Sequence, residues 1–128
     1  MPTALPRPTE AELEILRILW DRGPSTVRDV HTEIQRTRVT AYTTVLKLLQ
    51  IMTDKGLVTR DEAERSHVYR PRVAEAVTQR QLVTDLLERA FKGSTTSLVM
   101  QALDAAHATP DELAEIRRLI DKRRGAHR

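Results

Sequence analysis

The chain is predicted to be mainly α with a small β-hairpin, on three observations. Apolar residues recur at helical spacing in a series of segments, most of which open on a capping residue and close on glycine or proline. Between two of those segments, Leu57-Val58-Thr59-Arg60 and His67-Val68-Tyr69-Arg70 read as short strands, joined by the six residues Asp61 to Ser66. Aromatic residues make up only 3% of the 128, so the core must come mainly from Leu, Val, Ile and Ala, which favours helices.

The elements follow in order. Thr9 and Glu12 have the form of a capping box, and Leu13, Leu16 and Trp20, with Ile15 and Leu19 beside them, build the inner face of a first helix that Gly23-Pro24 ends. Trp20 is expected in the core, its N–H finding a local acceptor. Ser25 or Thr26 caps a second helix whose stripe is Val27, Val30 and Ile34, ending near Gln35. Arg36 to Thr40 is a short connection, and Thr40 is placed to cap a third helix. There Val45, Leu48, Leu49 and Met52 recur at i, i+3, i+4, i+7, which leaves Thr43, Lys47, Gln50 and Asp54 on the opposite side. Gly56 supplies the left-handed C-cap after Lys55. A lone hairpin is marginal, so the two strands are expected to pack on the helices as a wing. Residues 1–72 therefore read as a winged helix-turn-helix domain, a module that puts one helix into the DNA major groove.

After Pro71 the pattern changes. Ala74 to Phe91 is a long helical stretch with Val77, Leu82 or Val83, Leu86, Leu87, Ala90 and Phe91 at roughly heptad spacing, stopped by Gly93. A shorter helix is expected over Leu98 to Ala106, and Thr109-Pro110-Asp111-Glu112 opens a last one with Leu113, Ile116, Leu119 and Ile120 inward. Helices totalling about 50 residues rarely bury enough apolar area to fold alone. A second copy would complete the core, so residues 73–128 read as a helical dimerisation domain.

Net charge of +3 is a weak indicator, since residues 1–72 carry 12 Lys+Arg against 10 Asp+Glu. Arg28 to Arg60 holds six basic residues and three acidic ones, a local excess in the segment proposed to bind. The second basic cluster, Arg117 to Arg128, is expected to solvate a terminal helix. The absence of cysteine excludes disulfides, thiolate metal sites and a cysteine nucleophile, and fits a cytoplasmic protein. No apolar run approaches the roughly 18 residues that span a bilayer, and the N-terminus lacks the apolar core of a signal peptide, so no membrane insertion is expected. His31, His67, His107 and His127 lie far apart, with no His-Glu-x-x-His, Gly-rich phosphate loop or Gly-x-Ser-x-Gly elbow. Each reads as a surface residue or one satisfied locally, and neither an enzyme nor a required cofactor is expected. The alternative to a DNA reader is a winged helix used as a protein–protein interaction module. Steep loss of duplex affinity with salt separates the two.

The motifs resemble the penicillinase-repressor (BlaI/MecI) family of winged-helix transcriptional repressors. The resemblance rests on Glu12-Leu13-Glu14-Ile15-Leu16 to Trp20, Thr26-Val27-Arg28-Asp29-Val30, Tyr42-Thr43-Thr44-Val45, Leu48-Leu49-Gln50, Lys55-Gly56-Leu57-Val58 and Tyr69, in family order over Pro8 to Pro71. In the C-terminal half it rests on helix order and Ser97-Leu98-Val99. It implies a homodimer that blocks transcription from a pseudo-palindromic operator, in a response to antibiotic or cell-wall stress. It also implies a membrane-bound sensor protease system that leads to cleavage in the helix after the long one, here at Gln101-Ala102. That bond lacks the Asn-Phe pair typical of the drug-resistance repressors, which leaves two readings: a protease of different preference, or an ordinary interface helix with release by another route. Ile51 stands where the family often has Arg, and the paired C-terminal cysteines of copper-responsive relatives are missing, which excludes a thiolate copper sensor.

Eight residues are the candidate DNA contacts. Thr43 and Thr44 sit near the start of the third helix, where recognition helices reach base edges, and Lys47 lies one turn on, in reach of a phosphate or a guanine. Tyr42 either donates its hydroxyl to a phosphate or packs against the second helix. Thr26 and Arg28 open the second helix, whose N-terminus attracts phosphate, and Arg65 and Ser66 occupy the wing tip.

Overall fold

A computed structural model describes residues 5–63 and 65–126 of the 128. His127 and Arg128, named above, lie outside the described residues, as does Glu64 within the wing connection. The elements are α1 (Glu10–Arg22), α2 (Val27–Gln35), α3 (Tyr42–Lys55), β1 (Val58–Asp61), β2 (Val68–Pro71), α4 (Glu75–Phe91), α5 (Thr95–Ala105) and α6 (Pro110–Ala126). The chain is thus mainly α with one two-stranded antiparallel hairpin, as the sequence predicts.

Local signals set most helix ends. Thr9 and Glu12 form the reciprocal capping box of α1, with the Thr9 N–H donating to Glu12 Oε1 at 2.8 Å and the Glu12 N–H to Thr9 Oγ1 at 3.2 Å. Thr26 and Asp29 repeat it on α2 at 3.0 and 3.1 Å. Such a cap stabilises a helix by about 1 kcal/mol. Gly56, at φ 84°, closes α3 with its N–H on the carbonyls of Met52 and Thr53.

The start of α3 differs from expectation. Ala41, not Thr40, is the N-cap, and no side chain accepts from the first turn. Thr40 is engaged in the loop instead: its N–H donates to Gln35 Oε1 at 2.7 Å, its carbonyl accepts from His31 Nε2 at 2.6 Å, and its hydroxyl accepts from Arg38 at 3.1 Å. The strands also begin one residue later than predicted, pairing Val58 with Pro71, Thr59 with Arg70, Arg60 with Tyr69 and Asp61 with Val68. Further on, α5 starts at Thr95 rather than Leu98, because the Ser94 hydroxyl accepts from the Ser97 N–H at 3.1 Å and caps it.

Two compact units meet within the span of α4, the first ending at Leu82 and the second starting at Val83. The first unit has a closed core. Ile15, Leu16 and Leu19 of α1 pack with Val30 and Ile34 of α2, Val45, Leu49 and Met52 of α3, and Leu57, Val58 and Tyr69 of the wing, each 2% exposed or less. Leu48 packs against that core only partly buried, while Thr43, Lys47, Gln50 and Asp54 face outward, so the helical period of α3 is realised. The hairpin is held by a second, shorter pairing that the sequence did not suggest. Ser25 and Tyr69 exchange backbone hydrogen bonds of 3.1 and 2.8 Å, which join the wing to the turn between α1 and α2.

The residues that lead into α4 and its first turns belong to this unit through three contacts. The Trp20 indole N–H donates to the Val73 carbonyl at 3.0 Å, a partner far along the chain rather than a local one. Gln81 donates to the Leu5 carbonyl at 2.9 Å, and Thr78 is buried. In the second unit none of the described residues is fully buried. Its large apolar side chains remain open, with Leu86 at 48%, Leu119 at 55% and Ile120 at 52% exposure.

Candidate nucleic-acid interface

Five of the eight candidate residues meet in one place. Thr26 and Arg28 from the start of α2, Tyr42 from the start of α3, and Arg65 and Ser66 from the wing line a cleft of about 430 Å³, together with Val27, Leu46, His67 and Tyr69. The Ser25–Tyr69 pairing explains the convergence, since it fixes the wing against the residue that precedes the α2 cap. The cleft therefore combines two guanidinium groups, an imidazole and several hydroxyls, with no carboxylate among its described lining residues. That is the chemistry of a seat for an oxyanion.

Thr43, Thr44 and Lys47 do not line the cleft; they lie exposed on the outer face of α3, with Gln50 and Asp54 continuing the row. The first turn of α3 has no side-chain cap, which leaves orphan amides of the kind that attract phosphate. Of the two readings of Tyr42, packing against the second helix is the one seen. Its ring stands edge-on to His31 of α2, centroids 5.7 Å apart at 77°, and it stays 45% exposed at the edge of the cleft. Ile51 is 39% exposed on the flank of α3.

The approach to α3 is clamped. Arg38 is paired with Glu14 of α1 at 2.6 Å while it donates to Thr40, and the Glu14 hydrogen bond, reinforced by its charge, holds the guanidinium above its ordinary range. With His31 and Gln35 also on Thr40, the loop is tied to α1 and α2 before the helix begins. At the cap of α2 the Thr26 N–H holds the Asp29 carboxyl below its usual value against desolvation, with the Thr26 side chain and the nearby Arg22 charge adding to the effect. Asp29 thus stays an anion committed to the cap. In the wing, Arg60 donates to the Tyr69 hydroxyl and pairs with Glu62, which keeps the buried Tyr69 oxygen satisfied.

Sequence reasoning missed His67. It was counted with the scattered histidines, yet its position directly after Arg65-Ser66 and before β2 is a signal that it belongs to the wing tip. Among the described residues no group of His, Asp and Glu could hold a metal ion.

A family model described as penicillinase repressor matches residues 8–122. The chain belongs to the penicillinase repressor family. Among relatives, the transcriptional regulator BlaI of Mycobacterium tuberculosis is 31% identical over 125 residues, 96% of this chain and 89% of that protein. The penicillinase repressor of Bacillus licheniformis is 22% identical over 118 residues, 92% of each. Among solved structures, the B. licheniformis BlaI monomeric form in complex with the blaP half-operator superposes with a TM-score of 0.50 at 25% identity, covering 57% of this chain and 89% of that one. The family is one of transcriptional repressors, not enzymes, and the first unit has the winged-helix fold of its DNA-binding domain. Among the described residues no helix is long and apolar enough to cross a membrane.

Proposed function

We propose that the chain is a cytoplasmic homodimeric repressor that holds a pseudo-palindromic operator through α3 and the wing. The observation that carries this reading is the convergence of Thr26, Arg28, Tyr42, Arg65 and Ser66 on one cleft, with no carboxylate among its described lining residues, beside the exposed face of α3. Thr43, Thr44 and Lys47 enter the major groove and meet base edges, while the cleft holds backbone and sets the register. Residues 1–72 carry the DNA, and residues 73–128 pair two copies so that their α3 helices fall on successive grooves about 34 Å apart. Footprinting on the DNA upstream of the protein's own reading frame tests it. A protected inverted repeat with salt-sensitive affinity is expected, and a protein with no affinity for any duplex would be an interaction module instead.

Lys47→Ala separates two roles. If Lys47 reads a base, operator affinity falls by about 1 to 3 kcal/mol with little change for other duplexes; if it holds a phosphate, all duplexes weaken alike and the salt slope drops by about one. Binding titrations at several salt concentrations read the difference, and unchanged affinity for every duplex would remove Lys47 from the site.

Release by a sensor protease is part of the same proposal. Gln101 and Ala102 lie exposed in the middle of α5, next to Met100 at 59% exposure. Cutting there would divide the dimerisation arm, and each half alone keeps only part of the phosphate contacts. Cells induced with a cell-wall antibiotic are expected to show the chain split near this bond by intact-protein mass spectrometry. De-repression with undiminished full-length chain would sink the cleavage route.

A further inference from the structure

The cleft includes an imidazole that the contacts proposed above leave unused. His67 stands at the foot of β2, exposed, in a lining that includes Arg28 of α2, Tyr42 of α3, and Arg65 and Tyr69 of the wing. Among the described residues, the acids carried by these elements are either engaged elsewhere or distant along the chain. Asp29 holds the Thr26 amide and Arg22, Glu33 pairs with Arg22 and Arg36, Glu62 with Arg60, and Asp61 with the Ala63 amide and Arg70, while Asp54 sits in the last turn of α3. A phosphate oxygen seated beside His67 favours the imidazolium, because the charges attract and both ring nitrogens then donate.

We propose that this cleft seats one phosphate of the DNA backbone and that His67 takes up a proton from solvent as it does so, which makes duplex affinity rise as pH falls. The inference rests on the repressor reading above and adds a residue and a linked proton to it. The sign follows from linkage. If bound His67 holds its proton to higher pH than free His67, the gain is complete at low pH and is lost as pH rises through the bound form's titration.

Because a backbone contact carries no sequence information, the probe is a random-sequence duplex of about two helical turns. Its affinity is measured by fluorescence anisotropy between about pH 8 and pH 6 at constant ionic strength, for the wild type and His67→Gln. The wild type is expected to gain about three- to tenfold toward low pH, and His67→Gln, exposed and near-isosteric, to give a flat profile with an unchanged circular dichroism spectrum. A second arm replaces chloride with inorganic phosphate at matched ionic strength. A seat for duplex backbone predicts no extra competition, whereas displacement of the duplex by phosphate with the same pH dependence would assign the cleft to the free anion and overturn the proposal. An equal pH dependence in His67→Gln, or a flat wild type that still binds duplex, would overturn the linked proton and leave the repressor reading standing. A wild type that binds no duplex at any pH would overturn both.

Discussion

Replacing Lys55 with methionine is expected to lower the stability of the first unit by about 2 to 4 kcal/mol at neutral pH, because it strands a buried carboxylate. Glu12 is only 2% exposed, and its Oε1 accepts from Lys55 Nζ at 2.6 Å and from the Thr9 amide at 2.8 Å. Lys55 also donates to the Arg7 carbonyl at 3.2 Å, so one ammonium ties the end of α3 to α1 and the segment before it. Burial alone would push the Glu12 carboxyl up; the bonds from Lys55 and Thr9 together outweigh it and hold the group below its ordinary value. The upper part of the range for broken buried pairs is discounted, since the Lys55 side chain is 32% exposed and water can reach the vacated side.

The same pair predicts a pH dependence with a definite sign. In the wild type Glu12 has its pKa lowered on folding, so its contribution is present above the ordinary carboxylate value of 4.5 and is lost as pH falls through the lower folded value. In Lys55→Met the desolvation effect dominates, the carboxyl prefers its proton, and the charged form is what costs stability. The deficit of the variant is therefore largest near neutrality and shrinks in acid. Urea midpoints at pH 7 and at about pH 4 measure it, and a deficit that stays constant or grows in acid would show that Lys55 acts by packing alone.

The elements legible in the sequence are those whose cause is local. Thr9 with Glu12 and Gly56 after Lys55 each specify a helix end through residues within one turn and occur as read, and of the two candidate caps of α2 it is Thr26 that serves. Apart from the start of α5, set by the local Ser94–Ser97 cap, what escaped is decided by partners far along the chain. Thr40 has the chemistry of an N-cap, but its hydroxyl is taken by Arg38, whose position depends on Glu14 of α1. The Trp20 N–H finds Val73 only after the chain has passed through the wing. The site follows the same rule. Thr26, Arg28, Tyr42, Arg65 and Ser66 could each be nominated from a local argument, whereas their meeting around His67 depends on the Ser25–Tyr69 bridge, for which no spacing or period gives a signal.

Replacing Leu119 with aspartate is expected to give a monomer that binds a full operator about 10² to 10⁴ times more weakly than the wild type, the loss that follows when two linked half-sites become independent. Leu119 sits on α6 beside Ile116 and Ile120, against a groove of about 550 Å³ flanked by Arg123 and Arg124. It is 55% exposed and Ile120 52%, in a unit with no fully buried described residue, so this apolar surface is unsatisfied in a single chain. A carboxylate there costs a single chain little, because the position is already open to water. In a dimer that covers the stripe it would be a charge taken out of water, at a cost of several kcal/mol that a pair with Arg123 one turn on offsets only in part. Leu87→Asp probes the long helix α4 in the same way, although Leu87 is half-buried within its own chain, so its variant loses some internal packing as well. Sedimentation gives the assembly state, gel retardation gives affinity for full and half operators, and circular dichroism checks that helix content is kept. Affinity for a half operator should be little changed in Leu119→Asp, since the cleft and the α3 face lie in residues 26–69 and keep their contacts. A Leu119→Asp protein that remains dimeric and binds the full operator as before would place the dimer contact elsewhere in the arm.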